Sequence, residues 1–464
     1  MCDDARSLTR RDLLRGALGA ATLLATVPPA DAAAAESVAR RLARLRTATG
    51  TDLDVAIRAE RWIRTSRVRT PAGLAWPADP RDARSLERDF YNGTPGIVLF
   101  LLELYDATGD ASFLDDAVAG ARDLEASLDA GGNFDGGLYT GAAGIGFVLA
   151  ETWKRTHDAR HREAAKKAVA ALRRNARPAG AGVEWSDSAD IISGAAGISL
   201  FLLRAANELD EDGATDLAVR AGHRLTELGQ RAKGGLKWAI SPSVPPLYPN
   251  FSHGTAGAAY TLATLYGATR ERAFLDAALA GTAYLEAVTD RSNDACKVFH
   301  HEPDGIDLYY LSWCHGGAGT ARLYYRLSDV TGDAKWLDRV HCFARGITTM
   351  GAPVGRSPGY WENISQCCGN AGVGEFFLSL HRLWPERSYL EVARKAADDI
   401  LARGEEAGQG MKWVQAEHRV RPDFLVAQTG RMQGAAGVGS FFLRLEGFAA
   451  GRAPLTILPD SPWT

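Results

Sequence analysis

One pattern of polar and apolar residues repeats from near the start of the chain to its end. Seven times a Gly-x-x-Gly turn is followed by a mostly apolar run with helical character. The first run, from Ile97 to Tyr105, is apolar on nearly all sides, as in a helix buried all round. The segment from His161 to Arg174 has one polar face, as in a helix that lies at the surface. The turns begin at Gly93, Gly141, Gly194, Gly254, Gly316, Gly369 and Gly434.

The spacing of the turns predicts the architecture. Successive first glycines lie 48, 53, 60, 62, 53 and 65 residues apart, which is typical of a repeated helical hairpin. Buried inner helices and amphipathic outer helices indicate two concentric layers. A closed ring is favoured over an open solenoid, because an open stack would leave two apolar ends. We therefore predict an all-α fold, an α/α toroid of seven helical hairpins at residues 85–464, preceded by a lead-in helix and linker at 33–84.

Composition narrows the function classes. The 464 residues carry a formal net charge of −3 and include 46% hydrophobic residues. Without a basic excess the chain has little to neutralise phosphates, which argues against a nucleic-acid-binding protein. No apolar run reaches the roughly 20 residues that a membrane-spanning helix needs. We therefore expect no nucleic-acid partner and no transmembrane segment in the mature chain.

The first residues have the layout of an export signal. Arg10 and Arg11 precede a moderately apolar stretch at 16–27, and small residues around Ala32 form a cleavage site. The paired arginines resemble a twin-arginine signal. We therefore expect a signal peptide at residues 1–32 and export to the periplasm or beyond. A frayed N-terminal helix is the alternative.

Chemistry is expected where the repeats differ. In three consecutive repeats, the two residues before the first glycine are able to bind a metal ion or transfer a proton. In a closed ring these turns gather at one end of the central cavity, so side chains far apart in sequence meet. The pairs are Ser252-His253, Cys314-His315 and Cys367-Cys368.

The three cysteines of these turns suit zinc, which prefers nitrogen and sulfur ligands in tetrahedral geometry. Three protein ligands leave one position open, as in catalytic zinc sites. We therefore predict a Zn²⁺ site at Cys314, Cys367 and Cys368. His315 in place of one cysteine is an alternative, and so are three buried apolar cysteines.

The mature chain keeps two further cysteines, so its five thiols cannot all pair internally. We expect Cys296 and Cys342 to be core or spare thiols.

The turns carry a resemblance to a known family. Ser312-Trp313-Cys314-His315-Gly316 and Cys367-Cys368-Gly369, set among seven Gly-x-x-Gly repeats, resemble the zinc-binding turns of lanthionine synthetase C-like proteins. The resemblance covers roughly residues 85–445 and implies a seven-hairpin toroid with zinc at these positions. The family's usual second turn is Cys-His-Gly, so Cys368 stands where a histidine is common.

The resemblance implies further site residues. His253, in Ser252-His253-Gly254, matches a histidine proposed as acid or base, and Asp190 matches an aspartate of the family's third turn. An N-terminal helix cap is the alternative role for Asp190. Tyr310 stands where some members have an arginine, which leaves open how a substrate carbonyl or acidic group is held.

The activity that the resemblance implies is addition of a thiol to dehydroalanine or dehydrobutyrine, giving a thioether. The expected partners are a peptide or small-thiol substrate and, in a lanthipeptide pathway, a separate dehydratase. His253 and Asp190 are the expected catalytic residues. One rival is a carbohydrate-active toroid, a glycosidase or epimerase, whose paired carboxylates have only loose candidates in Asp307, Glu302 and Glu362. Another is a non-catalytic member that binds zinc and a peptide.

Overall fold

The computed structural model describes residues 50–129, 134–244, 246–353, 363–453 and 456–463. The expected signal peptide at residues 1–32 lies outside these ranges, as does Glu362. None of the helices described is both long and apolar enough to cross a lipid bilayer.

Helices dominate the described residues, as the repeat predicts. There are fourteen α-helices, in chain order α1 (Asp52–Arg64), α2 (Thr94–Thr108), α3 (Ala111–Asp129), α4 (Ala142–Thr156), α5 (Ala159–Asn175), α6 (Ala195–Glu208), α7 (Ala214–Glu227), α8 (Thr255–Thr269), α9 (Arg272–Val288), α10 (Gly317–Thr331), α11 (Lys335–Thr349), α12 (Asn370–Leu383), α13 (Tyr389–Ala402) and α14 (Ala435–Ala449).

The helices form two layers. The seven that follow the Gly-x-x-Gly turns are the even-numbered ones, and α2 is buried without interruption from Thr94 to Leu104. The odd-numbered helices are buried on one face only. In α5 the buried residues include Ala164, Ala168 and Leu172, one turn apart. Each even-numbered helix from α2 to α12 packs against the next helix in the chain, and α14 packs against α1.

The ring is therefore closed by the two ends of the described chain. Helix α1 begins with a capping box between Thr51 and Asp54, and it buries Val55, Ala59 and Ile63 on one side. It supplies the outer helix of the hairpin whose inner helix is α14. Part of the segment predicted as a lead-in helix and linker, 33–84, thus contributes to the toroid.

Backbone hydrogen bonds between neighbouring turns run round the whole circle. Seven N–H···O bonds of 2.8–3.1 Å join the residues that lie two or three positions before each first glycine. Because each bond joins adjacent repeats, the circuit holds all seven turns at one level of the ring. The bonds run from Tyr91 to Tyr139, Tyr139 to Ile192, Ile191 to Ser252, Ser252 to Cys314, Cys314 to Cys367, Cys367 to Met432, and Met432 back to Tyr91.

Steric crowding explains why the repeat requires glycine. A Cβ atom at Gly319 would overlap the carbonyl oxygen of Trp313, and one at Gly254 would overlap that of Tyr248. In both cases the chain folds back on itself six residues later, to start an inner helix. A side chain at either glycine would force this turn open.

The described strands are short and form five two-stranded antiparallel ribbons. They comprise β1 (Val68–Arg69) with β2 (Leu74–Ala75), β3 (Arg177–Ala179) with β4 (Gly182–Glu184), β5 (Gln230–Ala232) with β6 (Gly235–Lys237), β7 (Glu405–Ala407) with β8 (Gly410–Lys412), and β9 (Gln415–His418) with β10 (Arg421–Val426). The prediction of an all-α toroid is confirmed.

Candidate metal centre and its surroundings

Three thiols converge on the turns before α10 and α12. The Sγ atom of Cys368 lies 3.2 Å from that of Cys314 and 3.5 Å from that of Cys367. All three Sγ atoms lie within 4.8 Å of one another, and all three residues are buried. Among the described residues they form the only cluster of three or more His, Cys, Asp or Glu side chains placed so that they could hold a metal ion.

The spacing of the sulfurs fits zinc. Two thiolates on one tetrahedral zinc ion lie about 3.8 Å apart, given zinc–sulfur bonds of about 2.3 Å. The Cys368 sulfur lies 3.2 and 3.5 Å from the other two, somewhat less than that value, and the three cysteines are not joined by a disulfide. The donor set is thus one that zinc prefers. The ring of His315 lies outside this group and stacks on His300 at 4.2 Å.

Hydrogen bonds around the thiols fix their turn. The backbone N–H of Cys368 donates to Ser365 Oγ at 3.2 Å, and Ser365 Oγ donates to Asn363 at 2.8 Å. Gln433 Nε2 donates to Tyr91 OH at 3.0 Å and lies 3.9 Å from Cys368 Sγ. Groups that orient metal ligands in this way commonly strengthen metal binding.

His253 and Asp190 form a pair on neighbouring turns of the same level. His253 Nδ1 lies 2.5 Å from Asp190 Oδ2, an arrangement in which the carboxylate favours a proton on Nδ1. The His253 side chain is 15% exposed, whereas that of Asp190 is fully buried. The His253 ring centroid lies 5.5 Å from that of His315, the residue after Cys314.

Asp190 makes two kinds of contact, one with the backbone of its own turn and one with His253. Its Oδ1 accepts hydrogen bonds of 2.8 Å from the backbone N–H groups of Ser193 and Gly194, which is a turn cap, while Oδ2 binds His253. Burial opposes ionisation of this carboxyl group, but the hydrogen bond and charge of His253 and the backbone donors outweigh it and lower the Asp190 pKa. Asp190 is therefore an anion at neutral pH.

Imidazole and phenol rings line the region beside Cys314. The Tyr248 ring lies 5.1 Å from that of His315 and 5.6 Å from that of His300, and the Tyr310 ring lies 4.4 Å from that of His300. Burial, and then the neighbouring imidazoles, lower the pKa of His300 well below its usual range. His300 is therefore neutral at neutral pH.

An arginine reaches this cluster from another repeat. Arg419 lies in the two-residue turn between β9 and β10, and its Nε donates to Tyr310 OH at 3.1 Å. Tyr310 is buried, whereas Arg419 is exposed. The position where some family members carry arginine thus holds a tyrosine that contacts an arginine of the β9–β10 turn.

Sequence reasoning missed Arg419, His300 and Tyr248. One signal was present, since the two longest repeat spacings, 62 and 65 residues, contain His300 and Arg419. Extra residues between repeats form loops on one face of such a ring. The spacing alone does not say which side chain of a long loop reaches the cavity.

The expectation for the two remaining cysteines was wrong. Cys296 and Cys342 form a disulfide that joins the loop after α9 to the outer helix α11, with a Cα–Cα distance of 5.0 Å. The two residues are therefore neither spare thiols nor free thiols of the core. The two residues are 46 positions apart in sequence, and only the packing of consecutive repeats brings them together. Disulfides of this kind are typical of oxidising compartments.

The two described carboxylates considered for sugar chemistry, Glu302 and Asp307, differ in their surroundings. Glu302 accepts hydrogen bonds of 3.2 Å from Lys237 and from Tyr284 OH, and Asp307 is exposed. Glu302 is therefore engaged with Lys237 and Tyr284 and is not paired with Asp307.

Comparison with known proteins gives one family match. The model of the lanthionine synthetase C-like protein family matches residues 84–448. No curated protein sequence matches the chain significantly.

Among solved structures the chain is similar to nisin cyclase, with a TM-score of 0.60, 19% identity, and coverage of 86% of this chain and 93% of that chain. It is also similar to the Lin0763 protein from Listeria innocua, with a TM-score of 0.50, 11% identity, and coverage of 87% and 99%. An α-1,6-mannanase from Salegentibacter sp. HEL1_6 has a TM-score of 0.43 and 14% identity, with coverage of 85% and 98%.

Proposed function

The chain belongs to the lanthionine synthetase C-like protein family, and we propose that it adds a cysteine thiol to a dehydroalanine or dehydrobutyrine residue of a peptide. The observation that carries this proposal is the convergence of the sulfurs of Cys314, Cys367 and Cys368 on one buried point. The nearby His253–Asp190 pair supplies a group able to transfer a proton.

The three cysteines would hold a zinc ion. When bound, such an ion would favour the thiolate form of a substrate thiol, which is the nucleophilic form. The reaction makes one C–S bond at the β-carbon and breaks the carbon–carbon π bond. Its product is an isomer of the starting peptide if the thiol belongs to the same chain, so no oxidant or reductant is needed.

Protonation of the α-carbon completes the addition. The attack of sulfur leaves an enolate, which needs a proton. We assign this transfer to His253 Nε2, because Asp190 holds the other ring nitrogen. The negative charge of Asp190, buried and ionised, lies next to the ring to which we assign this transfer. The proton of the incoming thiol would return the imidazole to its starting state.

Arg419 is positioned to donate a hydrogen bond to the enolate oxygen. Negative charge develops on the substrate carbonyl oxygen during the attack, and a fixed donor next to it lowers the barrier. Arg419 reaches the site through Tyr310 OH, to which its Nε donates at 3.1 Å. We propose that Arg419 and Tyr310 together donate to this oxygen.

The proposed activity is tested on a peptide that contains one dehydroalanine and one cysteine. With zinc-loaded protein we expect the cysteine to lose its reactivity towards N-ethylmaleimide while the peptide mass stays constant, because cyclisation is an isomerisation. Elemental analysis should find one zinc ion per chain. Zinc-loaded protein that leaves the thiol reactive would instead support the non-catalytic, peptide-binding alternative, and protein without zinc would reopen the carbohydrate one.

We expect Arg419→Ala to lower kcat roughly 10-fold with little change in KM. Loss of an enclosed oxyanion donor costs about 10²–10³ in kcat, and the exposure of Arg419 to water reduces its contribution. Arg421→Ala is the matched control, since Arg421 lies two residues along the same hairpin and its guanidinium stacks on Phe424 at 4.7 Å. Equal kinetics for the two variants would exclude Arg419 from the site.

A further inference from the structure

The last described segment of the chain, residues 456–463, lies against the inner helices. Three arginines, each from a different inner helix, donate to its backbone carbonyls. Arg322 NH1 binds Asp460 O at 2.9 Å, Arg444 NH2 binds Thr456 O at 3.2 Å, and Arg204 binds Ile457 O. These helices are α10, α14 and α6. The segment, which we call the C-terminal tail, thus spans several repeats from inside the ring.

One side chain of the tail reaches the metal-site turns. Asp460 is fully buried, and its Oδ2 accepts a hydrogen bond of 2.9 Å from Trp313 Nε1 and one of 3.1 Å from Arg322 NH1. Trp313 is the residue before Cys314, and its ring packs 4.9 Å from that of Tyr139 on another turn. Burial, and then the Asp460 charge, raise the Tyr139 pKa well above its usual range, so the phenol stays protonated beside this carboxylate.

A second side chain of the tail serves a different purpose. Trp463 is buried between Tyr325 of α10 and Phe376 of α12, with ring distances of 4.7 and 5.8 Å. It provides apolar packing without a polar contact to the turns. The tail therefore makes two kinds of contact. Trp463 packs against the inner helices, whereas Asp460 binds the turn before α10.

A buried carboxylate is costly unless its position serves a purpose that an apolar residue cannot. The hydrogen bond to the indole N–H fixes the rotation of the Trp313 ring, and Trp313 and Cys314 share one peptide unit. We propose that Asp460 is a positioning residue for the metal site, acting through Trp313 on the direction of the Cys314 thiol. This inference rests on the proposed zinc site and extends it to the far end of the chain.

The test compares two variants of the same tail. In Asp460→Asn the amide keeps the shape of the side chain but loses the charge, so its carbonyl oxygen is a weaker acceptor for Trp313 Nε1 and Arg322 NH1. We expect zinc affinity, measured by competition with a chelator, to fall roughly 10-fold, the lower end of the effect of groups that orient metal ligands. The absorption spectrum of the Co²⁺-substituted protein should also shift, because the ligand geometry changes. Trp463→Ala should lower the melting temperature and leave zinc affinity and the Co²⁺ spectrum at their wild-type values.

Trp313→Phe gives an independent check, since it removes the donor but keeps an aromatic ring. If Asp460 acts through Trp313, the effects of Trp313→Phe and Asp460→Asn on zinc affinity will not add in the double variant. Wild-type zinc affinity in Asp460→Asn would overturn this inference alone, and so would equal losses of affinity in Asp460→Asn and Trp463→Ala. A wild-type protein that binds no zinc would overturn the proposed metal site as well.

Discussion

The Cys367→Ala protein is expected to lose stoichiometric zinc and, with it, all measurable thioether formation. Two sulfurs 3.2 Å apart, those of Cys314 and Cys368, would remain. Two ligands do not complete a catalytic zinc site, which takes three from the protein. The backbone N–H and carbonyl of Cys367 still bridge to Met432 and Cys314 in the variant, so the circuit of turns should persist. We therefore expect the variant to lose its zinc while it keeps its fold.

Elemental analysis and thermal unfolding with and without chelator measure this prediction. A chelator should destabilise the wild-type protein, because metal binding adds to the free energy of folding. It should have no effect on Cys367→Ala. The double variant Cys296→Ala, Cys342→Ala is the control, since it removes the disulfide and should cost about 2–4 kcal/mol of stability while keeping its zinc. A full complement of zinc in Cys367→Ala would show that this residue is not a ligand.

We expect His253→Ala to reduce the rate of thioether formation by about 10²–10⁴, the usual contribution of a general acid or base. Zinc content and melting temperature should stay near their wild-type values, because His253 does not belong to the cluster of Cys314, Cys367 and Cys368. The reduction should appear in kcat, since the proton is transferred after the substrate has bound.

His223→Ala is a matched control for this variant. Its Nε2 pairs with Glu271 at 2.8 Å on the outer side of the ring, so it removes an imidazole–carboxylate contact away from the turns. It should leave the rate unchanged. Loss of zinc from His253→Ala would contradict the prediction, because it would make His253 a ligand and not a proton donor.

The architecture could be predicted from the sequence because its cause is local. A Gly-x-x-Gly turn demands glycine wherever the chain folds back over a carbonyl oxygen, as at Gly319 over Trp313. An inner helix must be apolar all round because it is buried by its neighbours. Both requirements recur in every repeat, so seven copies of the pattern predicted seven inner helices. The choice of a closed ring followed from the apolar ends that an open stack would expose.

The candidate site could be predicted in part, for a related reason. Cys314, Cys367 and His253 occupy corresponding turns of consecutive repeats, and the circuit of backbone hydrogen bonds holds those turns at one level. Equivalent positions in sequence therefore became neighbours in space. The roles of these residues in binding zinc and transferring protons stay predictions, and so does the export signal at residues 1–32.

Some contacts depend on the path of segments that are not part of the repeat. These contacts are visible only in the tertiary structure. The Cys296–Cys342 disulfide, the reach of Arg419 to Tyr310, and the insertion of Asp460 beneath Trp313 each join residues from different repeats. A hydrophobic pattern reports which face of an element is buried, but it carries no information on the path of an irregular loop or tail. The repeat thus determined the ring and the level at which the three cysteines meet, while the paths of the loops and the tail determined which distant side chains lie beside them.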